Sequence, residues 1–170
     1  MSRKNRFQVT KNYPLKKQCY ERKILETLRS LGFKLVQTDD ENVYEFNYEG
    51  VSMLYMYNVS DEEFLSITVP CIMEVEEDNL MLVSALTEKV NATLKYIKAY
   101  IYGNHVWLSY ERELINDSHS EDKDFRKVLS SMILQLEAAL RFFRKSKAEM
   151  EENSHGGPSD DDALAVETDN

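Results

Sequence analysis

The stretch Tyr44-Glu45-Phe46-Asn47-Tyr48-Glu49-Gly50-Val51-Ser52-Met53-Leu54-Tyr55-Met56-Tyr57-Asn58 decides the fold. Tyr44, Phe46 and Tyr48 alternate with Glu45, Asn47 and Glu49. Period two with one wet face predicts a half-buried antiparallel strand. Glu49-Gly50 predicts a hairpin tip, because glycine takes a positive φ at no steric cost. The returning segment, Val51 to Asn58, is apolar on both faces: Val51, Met53, Tyr55 and Tyr57 on one, Leu54 and Met56 on the other. A strand of that kind belongs to a sheet whose second face is not simply wet.

Outward from the hairpin, Phe33 and Leu35 predict a short first strand, and Asp39-Asp40-Glu41-Asn42 a turn. Upstream, Leu15, Cys19, Ile24, Leu25, Leu28 and Leu31 recur at helical spacing behind Pro14 and ahead of Gly32. They predict a helix over 14–31 with a left-handed C-terminal cap. Downstream, Leu65, Ile67, Val69 and Cys71 alternate with Ser66, Thr68 and Pro70. Pro70 cannot donate to a ladder, so it marks an edge or a strand end.

Leu82, Leu86, Val90, Leu94, Ile97 and Ile101 step by three and four and predict one long helix, stopped by Gly103-Asn104. His105 to Ile115 reads as a strand, with Val106, Leu108 and Tyr110 on one face and Trp107, Ser109, Glu111 and Glu113 on the other. After a polar loop, Phe125, Leu129, Met132, Ile133, Leu136, Leu140 and Phe143 form the stripe of a last helix ending near residue 150. The order is α-β-β-β(-β)-α-β-α, an α+β domain with helices packed on an antiparallel sheet. We expect a basic, loose arm over 1–13, a single domain over 14–150 and a disordered acidic tail over 151–170.

Of the 170 residues, 42% are hydrophobic and 30% charged, as expected of a globular chain that can build a core. The net charge of −9 disfavours nucleic acid and anionic membranes as partners, because phosphate contacts need clustered cations. The imbalance is local as well. Arg3, Lys4, Arg6, Lys11, Lys16, Lys17, Arg22 and Lys23 crowd the beginning, and only acids occur from Glu149 onward. No apolar run approaches the length of a membrane span and no secretory h-region is present, which points to the cytoplasm.

Chemistry-bearing motifs are missing. There is no Gly-rich phosphate loop, no GxSxG elbow and no HExxH helix. Cys19 and Cys71 have no metal or disulfide spacing. The acids of Asp39–Glu41, Glu74–Asp78 and Asp160–Asp162 lack the ligand alternation of a calcium loop. His105, His119 and His155 read as edge or exposed side chains. We therefore expect no catalytic residues, no cofactor and no metal. The ten tyrosines are the informative oddity. Rings that keep one polar atom are enriched at interfaces. Tyr55 and Tyr57 share one strand face, and Trp107 and Ser109 share another. These four are the candidate partner-binding residues, set against a plain role in the core.

Leu86-Thr87-Glu88-Lys89-Val90-Asn91, then Gly103, Val106-Trp107-Leu108, Glu111-Arg112-Glu113-Leu114 and the Phe125–Phe143 helix resemble the YbjN type of bacterial protein, in the type III secretion chaperone-like superfamily. The resemblance covers about residues 15–147. It implies a compact α+β domain, often dimeric, whose members are chaperones or regulators that bind proteins and lack active-site residues. The arm and the tail lie outside that pattern, and a secretion role does not follow. Asn91 is expected to bond nearby backbone or an adjacent strand. Together these readings favour a non-catalytic, chaperone-like or adaptor-like module that binds a partner protein as a homodimer. The alternatives are a nucleic-acid-associated regulator using the Arg3–Lys23 segment and an enzyme with a site around His105, Glu111 and Glu113.

Overall fold

The computed structural model describes residues 17–61, 64–114 and 125–155. Helix α1 (Lys17–Ser30) ends where the sequence places its stop. Gly32 has φ +95°, and its N–H donates to Arg29 O at 2.9 Å while Phe33 N–H donates to Leu28 O at 3.2 Å. This is a Schellman cap, and only glycine enters that conformation freely. Strand β1 (Val36–Gln37) is shorter and later than the Phe33–Leu35 segment suggested. Phe33 instead folds its ring onto Phe46 and Tyr48, at centroid distances of 5.0 and 6.2 Å.

Strands β2 (Val43–Tyr48) and β3 (Val51–Tyr57) form the hairpin, with Tyr44 opposite Tyr55 and Phe46 opposite Met53. Its tip, Glu49 at φ +48° and Gly50 at φ +82°, is a two-residue turn with both residues left-handed. Strand β4 (Phe64–Glu74) pairs with β3 only as far as Thr68 opposite Leu54. Pro70 lies past that point, inside an irregularity between Val69 and Met73, so its missing N–H costs no ladder bond. Exposed Cys71, at φ +51°, completes the distortion.

The second half departs from the sequence reading. Helix α2 (Leu80–Thr93) is about two thirds of the expected length, and residues Ile97–Tyr102 form strand β5. The apolar stripe misleads because residues four apart share a face in a helix and in a strand alike. Ile97 and Ile101 fit both; Ala99 buried between exposed Lys98 and half-buried Tyr100 fits period two only. The run Tyr96-Ile97-Lys98-Ala99-Tyr100-Ile101-Tyr102 is rich in rings and β-branched residues, which suit a pleated surface. The break is made by extended Leu94 and by Tyr96 at φ +64°. Strand β6 (His105–Glu113) and the 31-residue helix α3 (Phe125–His155) follow. Helix α3 runs on through 151–155, past the end near 150 that its stripe predicts. The order is α-β-β-β-β-α-β-β-α. Expectations for residues 1–16, for the 115–124 connection with His119, and for 156–170 lie outside the described residues.

The six strands make one antiparallel sheet in the order β1-β2-β3-β4-β6-β5. All three helices lie on one face. There Phe46, Met53, Tyr55, Leu65, Ile67, Val69, Val106, Leu108 and Tyr110 meet Ile24 and Leu28 of α1, Val83, Leu86 and Val90 of α2, and Leu129, Met132, Leu136 and Phe143 of α3. Each such side chain contributes roughly 1.5–3 kcal/mol by leaving water. No helix of the described residues is long and apolar enough to cross a membrane.

Candidate functional site: the uncovered face of the sheet

Strand register fixes what lies on the face away from the helices. Across its middle run Glu45, Leu54, Thr68, Ser109 and Lys98, one from each of β2, β3, β4, β6 and β5. Val43, Met56, Ser66 and Glu111 form the row on one side. Trp107 and Tyr100 are paired on the other side, and His105 with Tyr102 beyond them. No described helix covers these rows. Met56 is 38% exposed and Tyr102 is 66% exposed.

The centre of this face is built from small residues under large ones. Thr68 and Ser109 are fully buried on this face. Tyr100 is bonded to the Thr68 side chain, and Thr68 Oγ1 donates to Met56 Sδ at 3.8 Å. Burial raises the Tyr100 hydroxyl above its ordinary pKa, with Glu111 adding to the shift and the Thr68 bond opposing it. Ser109 Oγ donates to Glu111 Oε1 at 3.2 Å, and Glu111 is also paired with Lys98.

Beside this trough stands Trp107, whose ring meets the edge of Tyr102 at 5.2 Å. Its indole N–H is buried and lacks an acceptor, the only such side-chain group among the described residues. An orphaned buried donor costs about 1–3 kcal/mol. The position across from Trp107 on β4 falls in the Val69–Met73 irregularity, so no regular ladder neighbour stands there.

The four sequence candidates divide between two faces. Trp107 and Ser109 lie together on the uncovered face, Ser109 in its floor. Tyr55 and Tyr57 point to the helices. Tyr55 is 1% exposed, and burial drives its hydroxyl far above the usual tyrosine pKa, with Glu21 next in effect. It is a core residue and not a surface one; Tyr57, half-buried, packs against the same core. The reason is register: Tyr55 pairs with Ile67, which pairs with Tyr110, on the side that α3 fills. Sequence reasoning missed Tyr100 and Tyr102 on this face, because it placed them in a helix. Their alternation with Ile97, Ala99 and Ile101 was the available signal.

His105 and Glu111 sit six residues apart on β6, about 20 Å at the rise of a strand, so His105, Glu111 and Glu113 are not brought together. Among the described residues no three His, Cys, Asp or Glu side chains assemble into a candidate metal site. Asn91 does what its position in α2 suggested. Its Nδ2 donates to Ala99 O at 3.0 Å, and its Oδ1 accepts from Ala99 N–H at 2.8 Å. The side chain thus stands in for a neighbouring strand and closes part of the β5 edge.

No family model matches the chain, and no curated protein matches it. Among solved structures it is similar to YbjN from E. coli, described as a candidate transcription regulator, with 12% identity and a TM-score of 0.49 over 79% of this chain and 92% of that one.

Proposed function

We propose that this chain is a non-catalytic, cytoplasmic protein-binding module, chaperone-like or adaptor-like, that takes its partner on the uncovered face of the sheet. The observation that carries the reading is the row of exposed and half-buried Met56, Tyr100, Trp107 and Tyr102 on a face that the helices leave bare. Tyr and Trp surrounded by apolar side chains are the composition of binding hot spots.

The test is photo-crosslinking in native cells from position 102, with position 134 on the exposed back of α3 as control. Adducts from 102 and not from 134, lost in a Met56→Lys variant with an unchanged melting temperature, support the reading. Equal adducts from both positions, or none from 102, remove it.

A further inference from the structure

We infer that the chain's own basic N-terminal segment, residues 1–16, is the resident occupant of this uncovered face, holding it until a partner competes. The inference rests on the face proposed above as the binding surface, and it names what fills that surface first. Charge is the first support. The face carries Glu45, Glu74, Glu111 and Glu113 against one ammonium, Lys98, which Glu111 already engages. Glu45 and Glu113 have no cationic partner among the described residues, and both are exposed. Residues 1–16 hold Arg3, Lys4, Arg6, Lys11 and Lys16 and no acid.

Apolar content is the second support. Phe7, Val9, Tyr13 and Leu15 are spaced among those cations, and the face offers Leu54, Met56, Tyr100, Trp107 and Tyr102 between its carboxylates. The acidic segment after residue 155 is the rival partner for the arm by charge, but it offers few apolar side chains and no ring beyond His155. A second copy is disfavoured as occupant, since it would set four carboxylates against four.

Reach is the third support. Glu21 of α1 accepts from the Tyr44 hydroxyl of β2 at 3.1 Å, so the helix begins beside the short-edged side of the sheet. Sixteen extended residues reach about 50 Å. From β2 round the β1 edge and back across the sheet to Trp107 on β6 is five strand spacings of about 4.8 Å plus a layer of about 10 Å, roughly 35 Å and within that reach.

Trp107 is the chain's single tryptophan, so its fluorescence reports on this face alone. The experiment measures acrylamide quenching of the full chain, of a variant with Arg3→Glu, Lys4→Glu, Arg6→Glu and Lys11→Glu, of Glu45→Lys with Glu113→Lys, and of the combined charge swap. Each set alone is expected to raise the quenching constant about twofold, independently of protein concentration, with the combined swap returning it toward the starting value. Quenching unchanged by the arm variant overturns the inference. So does an arm effect that the Glu45/Glu113 variant does not reproduce, which assigns the arm to the acidic tail. A starting protection that fades on dilution also overturns it, because the arm then belongs to another copy. If the arm fails while position 102 still gives adducts, the binding face stands and its resident occupant does not.

Discussion

Replacing Asn91 with alanine removes two hydrogen bonds, at 2.8 and 3.0 Å, between α2 and the backbone of Ala99. At about 1 kcal/mol each, the pair contributes about 2 kcal/mol. Alanine returns about 0.5 kcal/mol through its better helix propensity, and the freed Ala99 groups recover some hydration at the sheet edge. The expected net loss is about 1–1.5 kcal/mol, or a fall in melting temperature of roughly 3–6 °C for a chain of this size. Asn91→Asp is the sharper variant. A carboxylate still accepts from Ala99 N–H, but its second oxygen then faces Ala99 O with no proton between them. It should cost at least as much as alanine, although it is nearly isosteric. Urea denaturation with amide exchange at Ala99 measures both effects, and the opened β5 edge should raise aggregation at high concentration. Stability of Asn91→Ala within about 0.5 kcal/mol of the parent, or an aspartate as stable as the asparagine, would refute the clasp.

Three further variants have defined outcomes. Burial holds the Tyr55 hydroxyl protonated far above the ordinary tyrosine value of 10.0, whereas the unfolded chain ionises near that value. The unfolded state therefore binds fewer protons at high pH, so the stability is present below pH 10 and declines as pH rises past it. Tyr55→Phe should flatten that alkaline decline in melting temperature, leaving neutral pH little changed; an unaltered slope would assign the decline to other groups. At the hairpin tip, Gly50 has open space for a Cβ but φ +82°, so Gly50→Ala should cost about 1 kcal/mol through backbone strain alone. Glu49→Asn at φ +48° should gain a few tenths of a kcal/mol in the same denaturation experiment.

Local features were legible in the sequence. The β2–β3 hairpin, the Gly32 cap and the α3 stripe each follow from a few adjacent residues whose chemistry permits one conformation. Asn91 was legible as a residue that would bond nearby backbone, though Ala99 as its partner was not. Strand β5 was lost because Ile97 and Ile101 obey helical and strand spacing equally, and a stripe running on from α2 made the helix look continuous. The site was half legible for a different reason. Parity along one strand joins Trp107 to Ser109 and Tyr55 to Tyr57, but only the pairing of β3 with β4 and of β4 with β6 reveals that the two pairs face opposite ways. Nor does any local pattern tell which side three helices will choose, or that the indole of Trp107 ends without an acceptor.

Trp107→Phe tests the binding face most directly, since it shrinks the half-buried ring that the face offers a partner and deletes the orphaned N–H beneath it. The account predicts that urea denaturation of the free chain shows equal or slightly greater stability, by up to about 1 kcal/mol, while crosslinking from position 102 falls. A variant that is clearly less stable and crosslinks as the parent does would make Trp107 a structural residue and contradict the account.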